Sequence, residues 1–164
     1  MGWYNRQKTI HFKCYEEILK KFCNQFEIEP HLLQAKYKEV KNIDFSNKEG
    51  FERLAANVNE LKNELSSEQN IFIKASKGTY GMGIQVVNSG DDVLNFNRKK
   101  RNKLDIGKNR IKFTDVLVQE GIETILTYDN MPCEITIYLI GGKSVGGFMR
   151  ANPKKGHKEN LNSQ

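Results

Sequence analysis

Cysteine and proline are both scarce, three of each in 164 residues, and each scarcity excludes something. Cys14, Cys23 and Cys133 are odd in number, lie far apart and show neither CxxC spacing nor a nearby histidine cluster. A disulfide framework and a zinc site are therefore set aside in favour of reduced, structural thiols. With so few prolines, 38% hydrophobic and 28% charged residues, the composition is that of a folded chain, not of a disordered or low-complexity one. No apolar run approaches the roughly 20 residues that cross a bilayer. The opening Met1-Gly2-Trp3-Tyr4-Asn5-Arg6 lacks the apolar core of a secretion signal, so a cytoplasmic location is expected. The length suits one domain or two small lobes.

The formal net charge of +6 admits two partner classes, nucleic acid and a polyanionic small molecule such as ATP. Between Arg98 and Lys112 the chain reads RKKRNKLDIGKNRIK, eight basic residues against one acid. No aromatic residue interrupts that run to stack on a base, so it reads as a solvated loop or helix face.

Helical spacing dominates the first 66 residues. Tyr15, Ile18, Leu19, Phe22 and Phe26 recur three or four positions apart, predicting a helix from Cys14 to Ile28 with that stripe in the core. Pro30 suits the first turn of a second helical stretch toward Lys41. Ser46 and Glu49 have capping-box spacing ahead of a third helix, in which Phe51, Leu54, Ala55, Val58, Leu61 and Leu65 keep one face to about Ser66. At Asn70 the period changes. Ile71–Ala75 and Ile84–Val87 read as strands around a glycine-punctuated loop, and Asp91 as the cap of a helix through Phe96 toward Arg101. Val116–Glu120, Glu134–Ile140 and Ser144–Arg150 read as further strands, the last two joined by a tight turn at Gly141-Gly142.

Chemistry concentrates in a few of these elements. Lys77-Gly78-Thr79-Tyr80-Gly81-Met82-Gly83 carries three glycines, which let backbone N–H groups approach phosphate oxygens where a Cβ would obstruct them. The loop has no Gly-Lys-Ser/Thr ending and is followed by a strand, so neither a Walker loop nor a dinucleotide fingerprint fits, and a simple hairpin turn stays open. Lys74 sits on an otherwise apolar strand, where a buried ammonium calls for an anion; the alternative is a lysine on the solvent face of an edge strand. Glu120 closes a strand beside Gly121-Ile122 and suits an adenine amine or ribose hydroxyl, or a solvated turn. Glu134 opens the next strand. Arg150 ends an apolar strand with forked donors suited to phosphate, or to a surface salt bridge. His157 has no Ser or Cys partner in a recognisable triad and reads as an exposed histidine.

The order of these parts resembles the ATP-grasp layout: a lysine-bearing strand, a glycine-rich flap, a strand ending in Gln-Glu-Gly, a strand opened by glutamate, a Gly-Gly hairpin and a strand ending in arginine. More closely, four stretches are similar to the proteobacterial-type glutamate–cysteine ligases. They are Gly2-Trp3 with Arg6, Lys8, His11 and Phe12; Ile43-Asp44-Phe45; Lys74-Ala75-Ser76-Lys77-Gly78-Thr79-Tyr80-Gly81-Met82-Gly83-Ile84; and Val118-Gln119-Glu120-Gly121. The run from Val145-Gly146-Gly147-Phe148-Met149-Arg150 through Glu159-Asn160-Leu161-Asn162 matches as well.

The resemblance implies an α/β (α+β) fold: an ATP-grasp-like, mainly antiparallel sheet with flanking helices, preceded by an α-rich segment. Residues 1–66 would be that segment and 67–164 the nucleotide-binding region, incomplete at its C-terminus and forming an internal piece of a longer enzyme. The implied activity is ATP-dependent joining of the glutamate γ-carboxylate to the amine of cysteine through an acyl phosphate, the first step of glutathione synthesis, with Mg2+ as cofactor. By position, Lys74 resembles the α/β-phosphate lysine and the backbone of Ser76, Lys77, Gly78, Thr79, Tyr80, Gly81, Met82 and Gly83 the phosphate flap. Glu120, Gly121 and Ile122 resemble the adenine-side hinge and Glu134 a ribose contact. Arg150 resembles a residue near the transferred phosphoryl group, with Asn160 beside it. Metal ligands are not identified, since the family draws them from strands beyond Arg150. A nucleotide-binding module without turnover and a nucleic-acid-binding protein built on residues 98–112 are the rival readings. A protein-kinase lobe is set aside because no His-Arg-Asp or Asp-Phe-Gly occurs and the lysine precedes the flap.

Overall fold

The computed structural model describes residues 6–78, 83–105 and 112–157. They belong to two compact units, Met1–Gly121 and Ile122–Gln164. The first contains α1 (Lys8–Phe26), a 3-10 turn (Pro30–Leu32), β1 (Tyr37–Val40), α2 (Lys48–Asn63), β2 (Ile71–Ala75), β3 (Ile84–Val87), α3 (Gly90–Leu94), α4 (Arg98–Asp105) and β4 (Val116–Glu120). The second contains β5 (Thr127–Tyr128), β6 (Met131–Ile140) and β7 (Lys143–Ala151). The fold is α+β with antiparallel sheets, as expected, and the boundary expected after residue 66 falls inside the first unit, between α2 and β2.

The first sheet has the order β1-β4-β2-β3. Side chains alternate across it, so Val40, Ile71, Ile73, Val87, Val116 and Val118 share one face. Against that face α2 lays Phe51, Leu54, Ala55, Val58 and Leu61, all buried, as their spacing predicts. The opposite face carries Tyr37, Glu39, Phe72, Lys74, Leu117 and Gln119. Both α3 and α4 contribute to the core on the first face, through Val93 and Leu104.

Several local expectations are overturned. The stretch after Pro30 is helical for a single turn only, and Tyr37–Val40 is a strand paired with β4. Tyr37 and Val40 suit a strand, and Glu120 holds the entry by accepting the Lys36 N–H through Oε2 at 2.9 Å. The cap of α2 is Asn47, whose Oδ1 accepts the Gly50 N–H at 2.8 Å; Ser46 Oγ is spent on Asp44 Oδ1 at 2.6 Å, so the capping box does not form. Asp91 caps nothing: α3 starts at Gly90, and Asn97 Oδ1 restarts the chain as α4 by accepting the Lys100 N–H at 3.0 Å. The run from Asp91 toward Arg101 is thus two helices. In α1 the buried stripe is Thr9, Leu19 and Cys23, while Ile18 and Phe26 are 67% and 54% exposed. The helix turns this way because β1 offers it polar partners: Tyr37 donates its hydroxyl to Glu16 Oε2 at 2.7 Å, and Lys13 bonds Glu39.

In the second unit β6 and β7 pair over most of their length, in the order β5-β6-β7. Gly141 and Gly142 have φ of 57° and 77°, the left-handed pair of a two-residue turn that glycine enters without strain. Among the described residues no helix is long and apolar enough to cross a membrane.

Leu54 is wholly buried, so Leu54→Ala is expected to cost about 2–5 kcal/mol of unfolding free energy. Ile18→Ala is expected to stay within about 0.5 kcal/mol. Urea denaturation followed by helical circular dichroism checks the pair, and equal losses would contradict the orientation of α1.

Candidate functional site

Lys74 is the fourth residue of β2, opposite Leu117 of β4 on one side and Ile84 of β3 on the other. It is therefore on an interior strand, not an edge. Its Nζ donates to Gln119 Oε1 at 2.8 Å and lies 5.2 Å from the centroid of the Phe72 ring. Burial lowers its pKa.

A second ammonium lies close by. Lys8, the first residue of α1, donates through Nζ to the Ala75 carbonyl at 2.9 Å and to the Gly78 carbonyl. Its pKa falls from 10.5 to about 8, first through burial, then through repulsion from Lys74 and Arg6. Neither Lys8 nor Lys74 has a carboxylate within ion-pair reach among the described residues. Two partly desolvated cations within electrostatic reach of one another are unfavourable on their own, and an anion near them would relieve both.

The turn after β2 is tightly bonded. Ser76 donates its N–H to the Asp115 carbonyl at 2.9 Å, and its own carbonyl accepts the Lys8 N–H at 2.9 Å. Its buried hydroxyl meets Thr9 Oγ1 at 3.0 Å. Gly78 donates to the Ala75 carbonyl at 3.0 Å, and Ala75 donates to Gly83 at 2.9 Å. Gly83 has φ of 67°, and a Cβ there would lie 2.6 Å from that of Ala75, so glycine is required. The N–H groups of Ser76 and Gly78, expected to close on phosphate, are thus already bonded within the chain; Lys77 is exposed. Thr79, Tyr80, Gly81, Met82 and Asn160 lie outside the described residues, as do Gly2-Trp3, Glu159–Asn162 and the middle of the basic run with Lys108 and Arg110.

Glu120 pairs with Ile71, three positions from Lys74 along β2, which puts its side chain on the opposite face. Its carboxylate is engaged by Gln69 Nε2 at 2.7 Å and by the Lys36 N–H. Gly121 donates to the Asn70 carbonyl at 2.7 Å, and a Cβ on it would stand 2.6 Å from that oxygen. In the second unit Ile122 is exposed, and Glu134 and Arg150 are cross-strand partners, with Oε1 and Nε 2.8 Å apart. The His157 ring is not a free tail group: its Nδ1 meets the Thr124 carbonyl at 2.7 Å. In α4, Arg101 donates through Nε to the Phe96 carbonyl at 2.8 Å and covers the Phe51 ring, so this part of the basic run is partly used in packing. No three metal-ligating side chains gather among the described residues.

Lys8, Thr9, Asp115 and the side chain of Gln119 were not among the expected site residues. Lys8 and Gln119 stood within the matched stretches without a role. No local pattern marks Lys8, because its bond to Ala75 spans 67 positions.

Comparison with known proteins places the chain in a family. The family model described as glutamate-cysteine ligase (GshA) matches residues 1–164. A solved structure from Methylobacillus flagellatus KT, described as a candidate gamma-glutamylcysteine synthetase, is 36% identical and superposes with a TM-score of 0.83 over 99% of this chain. The chain spans 40% of that protein's length. No curated protein matches.

The Lys8 shift predicts a pH dependence of stability. Below pH 8 its charge is carried by folded and unfolded chains alike, and the cost of holding it half-buried is present in full. Between 8 and 10.5 the unfolded chain binds more protons than the folded one, so stability rises with pH across that window. Lys8→Met is expected to flatten the rise relative to wild type in urea denaturation series, with Lys74 supplying what remains.

Proposed function

We propose, on the premise that this chain belongs to the glutamate–cysteine ligase family, that it contributes the nucleotide-holding part of an ATP-dependent ligase joining the γ-carboxylate of glutamate to the amine of cysteine. The observation that carries the reading is Lys74: a half-buried ammonium on an interior strand, held by an amide oxygen and lacking a carboxylate partner among the described residues. A polyphosphate supplies the missing negative charge. Lys8 adds positive potential at the same place.

In this reading ATP supplies the phosphoryl group that turns an inert carboxylate into an acyl donor. Lys74 neutralises phosphate oxygens, and the electrostatic gain is largest where water is excluded. Glu120, Gly121 and Ile122 are assigned to the adenine side; the Glu120 carboxylate and the Glu120 and Gly121 N–H groups are already engaged, which leaves main-chain carbonyls to accept from the adenine amine. Glu134 and Arg150 of the second unit pair with one another, and a role for either toward a nucleotide requires that ion pair to open; exposed pairs of this kind are worth only about 0–1 kcal/mol. The described residues form no acidic cluster fit for magnesium, so no step is assigned to an ion held by this chain.

The rival reading is a module that binds the nucleotide without turnover. Two measurements separate the readings. Mg-ATP at about 100 times its Kd should raise the unfolding free energy by about 2.7 kcal/mol, and Lys74→Ala should abolish the rise. An undiminished rise in that variant would remove Lys74 from the site. Phosphate release that needs both glutamate and cysteine marks the ligase; binding without release marks the module.

A further inference from the structure

We propose that Lys8 is a positioning residue of this site: anchored in the first turn of α1, its ammonium fixes the Ala75–Gly78 turn through two carbonyl oxygens and so sets where Lys74 meets a bound polyphosphate. The inference rests on the nucleotide reading of Lys74 and extends it to a second element. An isolated turn after β2 would hang on its own hairpin. Here four contacts bind it to α1: Lys8 Nζ on Ala75 and on Gly78, the Lys8 N–H on Ser76 and the buried Thr9–Ser76 hydroxyl pair. Ammonium carries three donors, and the two carbonyls take two of them.

Neutral side chains can tie carbonyls too, so the charge needs its own reason. The charged groups that act on Lys8 among the described residues are cationic: Lys74 on β2 and Arg6 ahead of the helix. The nearby acids are committed elsewhere, Glu39 to Lys13 and Lys41, and Asp115 to the Asn42 N–H at 3.0 Å. A cation kept there without a carboxylate gains its partner when an anion arrives. Binding then favours the charged form of Lys8, and near pH 8 the complex takes up a fraction of a proton.

The test uses the full chain with Mg-ATP as the probe. Three quantities are read in wild type, Lys8→Met and Lys8→Arg: amide exchange at Gly78 without ligand, affinity for Mg-ATP, and proton uptake at pH 8 from calorimetry in buffers of different ionisation enthalpy. In Lys8→Met exchange at Gly78 should quicken and affinity fall about tenfold or more, the order of a charge-assisted hydrogen bond. Its proton uptake should drop. Lys8→Arg should recover affinity while losing uptake, because its guanidinium does not titrate in this range; a role in folding alone would not split these readouts. Unchanged exchange at Gly78, affinity unchanged despite faster exchange, or uptake undiminished in Lys8→Met each overturns the proposal. A wild type indifferent to Mg-ATP overturns the nucleotide reading instead, while the exchange comparison still decides the tether.

Discussion

A half-buried ammonium without a carboxylate is the constraint around which the first unit is arranged. Lys74 keeps its charge on an interior strand by borrowing the amide oxygen of Gln119 and the face of Phe72, neither of which neutralises it. Lys8 makes matters worse, since the two cations repel. A fold that only needed stability would place a neutral or apolar residue at either position. The proposed nucleotide site accounts for tolerating both.

The cost is offset on the other side of the same sheet. Val40, Ile71, Ile73, Val116 and Val118 meet the apolar stripe of α2 there, and that layer is buried. Alternation separates the two faces: odd positions of β2 face the core, and even positions face the opposite side with Lys74, where Phe72 is buried. The site face is covered by α1 through polar as well as apolar contacts. Tyr37 holds its proton more tightly than usual there, through burial first and its bond to Glu16 second. The second unit handles charge differently, since Glu134 and Arg150 neutralise one another across β6 and β7.

Legibility followed the range of the interaction. The α2 stripe, both strands around the glycine loop and the Gly141-Gly142 turn depend on neighbours within a few positions, and all were readable. The α1 stripe was readable as a helix but not as an orientation. Which face turns inward was decided by Tyr37 and Glu39 on β1, a strand whose four residues carry too weak a pattern to announce themselves. Asn47 displaced Ser46 as a cap for a local reason that the capping-box spacing does not carry: Asp44, two residues earlier, had already taken the serine hydroxyl. Of the candidate site, Lys74 and the glycine loop stood out as an odd charge and an odd composition, whereas Lys8 looked like any lysine opening a helix.

The amino-acid sequence alone determined the α+β class, the hairpins, the core face of α2 and the family to which the chain belongs. It did so because periodicity, glycine placement and ordered motifs are properties of adjacent residues. Only the tertiary structure decided that β1 completes the sheet, that Lys74 sits on an interior strand and that Lys8 reaches the turn beside it. Those facts arise from pairings across tens of residues, where burial and charge are set by what the folded chain brings together.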